Sequence, residues 1–367
     1  MNIKNKCINS FQKTWYEDTA TVFFSAPIFH GKEDCDTLII GGGLAGLSLQ
    51  SMLSKHDISC VLLEEKTIAS GASGMNGGFC TPGWSISQLE LEQRIGDTKA
   101  KLLYDISLSG FYWMENLCNK LNPNISEVKK GVLKACFTGG KEGLKSEVDK
   151  FNKKHDANIQ FLKGDQLNPH LKSPRYDCGL LDLQSFHFNP LNVIRSLAIN
   201  VQRKTGQIFE CSKVTDINRN KAGYIAKTSS GGIIKAKTVV IATGGYFSNI
   251  GTSCLSEKLF SLKTSIGVTE PLNANLSGAI SSNVAIHDDR RAGNYFRFLP
   301  DNRLLWGRDI RAIGIPNKKK IIRDTKRDLK YFFPKQKKFF DKMRVDYSWS
   351  GKLGYSSNLM PYISAEK

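Results

Sequence analysis

The sequence predicts an α/β protein in which a parallel βαβ unit is interleaved with an α+β domain built on an antiparallel sheet. Three observations predict it. An apolar strand at 37–40 runs into a glycine turn, a helix at 44–53 and a second strand at 60–64. That order calls for parallel strands joined by a right-handed crossover. Strand and helix signals alternate again from 178 to 243. After about Thr252 the pattern changes to strands linked by tight turns, which reads as an antiparallel sheet.

The remaining elements follow in order. Segment 87–120 reads as helix, with Ser87 and Glu90 at capping-box spacing. A strand is expected at 131–137, a surface helix at 141–154 and a short strand at 178–183. Pro190 suits the first turn of a helix reaching 204. Segment 207–217 reads as one strand. Segments 223–227 and 232–243 read as a hairpin ending in the apolar run Val239, Val240, Ile241, Ala242. Strands are expected at 265–269, 295–299 and 304–307, the last two joined by a turn at Pro300, Asp301 and Asn302.

A chain of 367 residues is long enough for two domains, and 40% apolar with 23% charged residues is ordinary for a globular protein. No stretch approaches the ~20 continuous apolar residues of a membrane-spanning helix. The N-terminus has a basic start but no apolar core or small-residue cleavage site, so no signal peptide is expected and the cytoplasm is the expected location. Nine cysteines at wide spacing, with no CxxC pair, argue against a disulfide framework or a zinc site, and the six histidines are scattered. The net charge is +18, and half of it lies between 316 and 344, where twelve Lys or Arg meet three Asp. Ile322, Leu329 and Phe333 fall at helical spacing there, so the run reads as an amphipathic helix with a solvated basic face. Membrane and nucleic acid are not the expected partners.

The chemistry-bearing motif begins at Asp36. Gly41, Gly43 and Gly46 fit GxGxxG between a buried strand and a helix. Such glycines allow a tight turn, close approach of backbone to a pyrophosphate and close helix–strand packing. The helix start, Leu44 and Ala45, then offers free amides to phosphate. Glu64, eighteen residues beyond Gly46 and followed by Glu65, stands where a carboxylate meets ribose hydroxyls. The segment Ser70, Gly71, Ala72, Ser73, Gly74, Met75, Asn76, Gly77, Gly78 is poor in side chains and can lie along an extended ligand. It has no place in an NAD fingerprint.

These residues resemble the FAD-dependent amine oxidoreductases of the D-amino-acid oxidase superfamily, and most closely the gamma-glutamylputrescine oxidoreductase-like branch. That branch reads GASGRNGG where this chain has Met75 in place of arginine. The resemblance extends through His187 to Leu191, Val214, the run Ala242, Thr243, Gly244, Gly245, then Thr269 to Leu272, Arg303 to Gly307, Phe333 and Pro334, and Trp349 to Pro361. It implies a Rossmann-like FAD-binding domain from 1–85, 178–255 and 346–367, and a substrate domain from 86–177 and 256–345.

It also implies FAD contacts at Gly41, Gly43, Leu44, Ala45, Gly46, Glu64, Glu65, Gly71, Ala72, Ser73, Asn76, Gly77, Gly78, Val214, Ala242, Thr243 and Gly244. No His or Cys stands where some relatives attach flavin, so the FAD is expected to be non-covalent. Cys80 lies nearby without an assigned role. The implied reaction is oxidation of a primary or secondary amine by hydride transfer, with oxygen or another acceptor taking the electrons. Catalytic acids or bases are not assigned. Arg291, Arg297 and Arg308 are candidates for a substrate carboxylate, with a surface position as the ordinary expectation. His187 is expected to be structural.

Family members usually continue beyond the point matching Met360 and Pro361 to a closing helix. The resemblance therefore implies a shortened member, and an inactive flavin-binding protein is one alternative reading. A flavin enzyme acting on a modified tRNA base, using the basic run, is another.

Overall fold

A computed structural model describes residues 13–137, 142–205, 207–247, 257–272, 279–280 and 283–365. Cys7 and Cys254 lie outside the described residues. The strands, in chain order, are β1 (Lys32–Ile40), β2 (Cys60–Leu63), β3 (Phe79–Cys80), β4 (Lys129–Phe137), β5 (Ile159–Lys163), β6 (Tyr176–His187), β7 (Ile208–Phe209), β8 (Val214–Asn220), β9 (Gly223–Thr228), β10 (Ile233–Ile241), β11 (Leu259–Pro271), β12 (Ala285–Asp288), β13 (Tyr295–Phe298), β14 (Arg303–Arg311) and β15 (Val345–Ser356).

The first sheet has the order β7-β2-β1-β10-β9-β8. Its β7, β2, β1 and β10 are parallel, and β9 and β8 continue it antiparallel. Register sets Ile39 between Leu62 and Val240. Alternation along the strands sends Leu38, Ile40, Val61 and Leu63 to one face, against Phe29, Val214 and Ala226. Ile39 and Leu62 face the other way, against Leu47 of the helix Leu44–Leu53 and Leu191, Ile194 and Leu197 of the helix Pro190–Thr205. Both faces are covered, which is why β2 is an unbroken apolar run. Truncating such a buried leucine to alanine costs about 2–5 kcal/mol.

Two expected elements divide. Segment 207–217 is two strands, because Cys211 takes φ +51° between β7 and β8. There the Glu210 carboxylate turns inward and accepts the amides of Ala26 at 2.9 Å and Ile68 at 2.7 Å. Segment 87–120 is two helices, Gln88–Ile95 and Asp97–Asn119, parted at Gly96. Ser87 caps the first by accepting the Glu90 amide at 3.2 Å.

The second sheet has the order β15-β11-β14-β13-β12-β4-β6-β3, with β5 beside β6. All pairs are antiparallel except β12–β4, so the expected antiparallel sheet carries one parallel pair. In its core Trp306 stacks on Phe296, centroids 4.5 Å apart. Pairing places β6 and β15, grouped by sequence with the nucleotide unit, inside this sheet. The cluster behind β1 continues into Ile266, Leu305 and Trp349, so one core spans the junction of the sheets.

The basic segment forms the helix Lys318–Phe332, capped by Asn317, whose side chain accepts the Lys320 amide at 2.8 Å. Its inward positions are Ile321, Asp324, Thr325, Leu329 and Phe332. Of the expected stripe of Ile322, Leu329 and Phe333, Leu329 faces inward, and Ile321 is buried deeper than Ile322. Ile322 is partly buried, and Phe333 is buried just past the helix end. Asp324 also turns inside, paired with Arg308 of β14 at 3.1 Å and ringed by Arg311, Lys320, Arg323 and Arg327. Part of the basic run is thus offset within the fold. Among the described residues, no helix is long and apolar enough to cross a membrane.

Candidate functional site

The carboxyl ends of β1, β2 and β10 open into a cleft of about 160 Å³. This is where open parallel sheets bind ligands. Gly41 takes φ +115°, a region that L side chains rarely adopt, and a Cβ there would sit 2.7 Å from the Ala242 carbonyl oxygen. The close approach is bonded on both sides. The Gly41 amide donates to Leu63 O at 2.9 Å, and the Ala242 amide to Ile40 O at 2.8 Å. At Gly46 a Cβ would lie 2.0 Å from Gly41 O, so the helix packs directly on the turn.

Gly43 is the N-cap and brings no side-chain cap. Ser73 supplies one from outside, its Oγ accepting the Leu44 amide at 3.0 Å. The Ala45 and Gly46 amides, at the next two helical positions, have no acceptor in the helix itself. Glu64 is half-buried. Its carboxylate accepts the Gly42 amide at 2.7 Å and the Lys66 amide at 2.9 Å. Burial pushes its pKa up, while those two amides pull it down.

Eleven of the sequence-derived positions line this cleft: Gly41, Gly43, Glu64, Glu65, Gly71, Ala72, Ser73, Val214, Ala242, Thr243 and Gly244. Leu44, Ala45 and Gly46 lie behind them as the first helical turn. Asn76, Gly77 and Gly78 are not in the lining. Asn76 instead folds its own loop, donating to Ala72 O and Ser73 O and accepting the Gly78 amide at 2.7 Å. Sequence reasoning missed Lys66, Ser212 and Tyr246, which also line the cleft, as do Gly42, Ser70 and Gly245, which lay in the segments it singled out but were not named as contacts. Gly42 was legible as the middle of three glycines. Ser212 and Tyr246 carry no local signal, since only the return of β7 beside β2 and of β10 beside β1 brings them in.

The loop after Ser73 is pinned from beneath. Trp349 Nε1 donates to Met75 O at 2.9 Å, the Tyr16 hydroxyl to Asn76 O at 3.0 Å, and Arg297 Nε to Gly77 O at 2.7 Å. Arg297 also donates to Phe188 O at 3.0 Å and Tyr16 Oη at 3.1 Å, and its Nη1 lies 3.3 Å from His187 Nδ1. Arg297 is 1% exposed and Arg308 5%, so neither is the surface arginine expected from sequence. Burial pulls the His187 pKa down to about 2, helped by Arg297 and Lys129. Its imidazole is neutral, and Nε2 is buried without a partner. The Cys80 thiol is pushed up to about 12 by burial.

A second cavity of about 300 Å³ adjoins the cleft, sharing Glu65, Lys66, Ala69, Ser70 and Tyr246. It extends past Met75 to Lys263 of β11 and to Ser350, Gly351 and Lys352 of β15. An elongated group could therefore run from the glycine turn to the larger sheet. The groups fit a dinucleotide: free amides at a helix start to donate, a carboxylate beside them to accept, and backbone too close for side chains.

A family model described as FAD dependent oxidoreductase (DAO) matches residues 36–367. The probable oxidoreductase OrdL of Haemophilus influenzae is 26% identical over 357 residues, covering 96% of this chain and 80% of the relative. The gamma-glutamylputrescine oxidoreductase of Escherichia coli is 24% identical over 349 residues, 95% of this chain and 80% of the relative. The crystal structure of glycine oxidase from Geobacillus kaustophilus superposes with a TM-score of 0.71 at 18% identity, over 91% of this chain and 86% of that one.

Proposed function

This chain belongs to the DAO family of FAD-dependent oxidoreductases, and on that premise we propose that it oxidises a primary or secondary amine of an amino acid or polyamine derivative. The chemistry that FAD supplies when bound is acceptance of a hydride from the carbon bearing the nitrogen. The rest falls to this chain. The Ala45 and Gly46 amides and the Ser73 hydroxyl receive the pyrophosphate. Glu64 receives the ribose hydroxyls, and the backbone at Val214 borders the adenine. The pinned loop of residues 75–78 fixes the edge of the second cavity, where the amine is oriented. The FAD is held without a covalent bond, and oxygen or another acceptor takes the electrons.

The observation that carries this reading is the continuity of the glycine-lined cleft with the second cavity, through Ser70 and Tyr246. Burial shifts His187 downwards and Cys80 and Tyr16 upwards, and none of the three lines the second cavity. Purified chain reconstituted with FAD is mixed anaerobically with a panel of amines and amino acids. Bleaching of the flavin absorbance by at least one is expected; no bleaching by any would refute the reading.

A further inference from the structure

Between β14 and the basic helix the chain runs Ala312, Ile313, Gly314, Ile315, Pro316, and it turns at Gly314 with φ +74°. The first four of these residues are exposed in succession, Ile313 at 89% and Ile315 at 68%. Single exposed apolar side chains are ordinary on a protein surface. An unbroken exposed apolar run at a loop tip is a liability unless it has a use.

Cations bracket this tip. Arg311 precedes it, and Lys318, Lys319 and Lys320 follow as the first turn of the helix Lys318–Phe332, which has no acidic residue there. A helix start is the positive end of the peptide dipole, so three lysines in that turn disfavour the helix. Lys318 and Lys319 are exposed and make no ion pair among the described residues. Arg323 and Arg327 follow Lys319 at four-residue steps, on the same face. Their side chains are 70% and 64% exposed, and both crowd on the Asp324 carboxylate beside Arg308, Arg311 and Lys320. From 308 to 328 eight Lys or Arg meet three Asp. The occupant that suits this surface is anionic, and a second copy of a chain at +18 is repelled from it. The isoleucines decide which anionic occupant. Nucleic acid offers phosphate without an apolar phase, whereas an anionic bilayer offers both.

We propose that residues 312–316 and the first turns of the helix Lys318–Phe332 dock on an anionic membrane surface. Ile313 and Ile315 enter the boundary between headgroups and acyl chains, and Lys318, Lys319 and Arg323 face the lipid phosphates. Docking covers the apolar tip and offsets the cations at the helix start. The contact is peripheral, since no described helix is long and apolar enough to cross a bilayer. The sequence alone reads the basic run as a solvated face, and the exposed tip beside it is what changes that reading. Ile315 also lines the second cavity, so the docked face adjoins that cavity. Docking does not depend on the amine-oxidation reading.

The test is co-sedimentation of the FAD-loaded full chain with two kinds of vesicle, phosphatidylcholine alone and phosphatidylcholine mixed with phosphatidylglycerol. Binding is expected to the mixed vesicles, to weaken steeply with salt, and to be slight on phosphatidylcholine alone. Ile313 lines neither cavity, so Ile313→Ser is expected to keep the melting temperature and FAD affinity of the wild type while vesicle partitioning falls about tenfold. Ile313→Trp is expected to restore partitioning, and the added indole's emission should shift to the blue on mixed vesicles. Replacing Lys318 and Lys319 together by glutamine is expected to lower partitioning about thirtyfold.

Absence of binding to mixed vesicles overturns the proposal, as does binding that Ile313→Ser leaves intact or equal binding to both kinds of vesicle. Without vesicle binding, binding of unfractionated tRNA that needs the two lysines but not Ile313 would assign the surface to nucleic acid. A dimer in sedimentation velocity that Ile313→Ser dissociates, again without vesicle binding, would assign the tip to a second copy. Either result overturns membrane docking.

Discussion

Replacing Arg297 by methionine tests whether the loop at 75–78 is held from below. The substitution keeps a long apolar body and deletes the guanidinium. Gly77 O, Phe188 O and Tyr16 Oη each lose a donor at 2.7, 3.0 and 3.1 Å. Hydrogen bonds from a charged donor contribute about 1.5–3 kcal/mol each. Against that, the variant no longer keeps a cation in a nearly sealed site, a relief of several kcal/mol. The net expectation is a loss of about 3–5 kcal/mol, read as a lower urea midpoint with an unchanged slope. Arg297→Lys keeps the charge but cannot span all three acceptors, so it is expected to recover only part of the loss. The His187 pKa should also rise from about 2, because Arg297 is one of the groups holding it down, though burial still keeps it low. A loss under about 1 kcal/mol for Arg297→Met would show that the loop is fixed by Trp349 and Tyr16 alone.

Three further outcomes are expected. Gly41→Ala forces a side chain into φ +115° and within 2.7 Å of Ala242 O, a strain of about 1–3 kcal/mol; FAD affinity, followed by flavin fluorescence quenching, should fall tenfold or more, and an unaltered Kd would show that the cleft does not need this approach. The Asp324 carboxyl is pushed up by burial, but Arg308, Arg327 and Lys320 outweigh that and hold it below its ordinary 3.8. A depressed acid contributes stability that is present above the unfolded value and lost as pH falls through the folded one; the stability gap between wild type and Asp324→Asn, about 3 kcal/mol at pH 7, should close as pH drops below about 4, and a gap constant from pH 7 to 3 would refute the assignment. The Cys80 thiol, pushed up to about 12, should resist iodoacetamide at pH 8 in the folded protein; mass spectrometry showing modification at the rate of the unfolded chain would contradict it.

What the sequence made legible was local. The turn through Gly41, Gly43 and Gly46, the helix after it and Glu64 all sit within one βαβ stretch, where period and spacing carry the information. The nucleotide-cleft residues followed from that stretch and from the resemblance it carries. What was not legible depends on partners distant in sequence. Tyr16 meets Arg297 across 281 positions, and no periodicity announces a buried arginine aimed at backbone carbonyls. The inward turn of Asp324 was not legible for the same reason, since its partner Arg308 stands on another strand. Asn76 was expected to face the ligand, but its amide does more for the loop's own backbone. Segment 207–217 looked continuous because Glu210 and Cys211 signal no break until Ala26 and Ile68 arrive as donors.

The parallel pairing of β1 with β10 joins Ile40 to Ile241 at the floor of the cleft. Some two hundred residues of chain are synthesised between these partners, so their meeting closes a very long loop. Pairings of such high contact order form late and slowly. Until β10 docks, the nascent chain holds a glycine turn with no opposing wall, and the exposed edge of β1 is open to wrong partners. Cofactor capture therefore waits on the docking of β10 beside β1. Bound FAD would then draw the final docking equilibrium forward by mass action. Flavin supply during synthesis should thus govern the yield of folded protein as well as its activity.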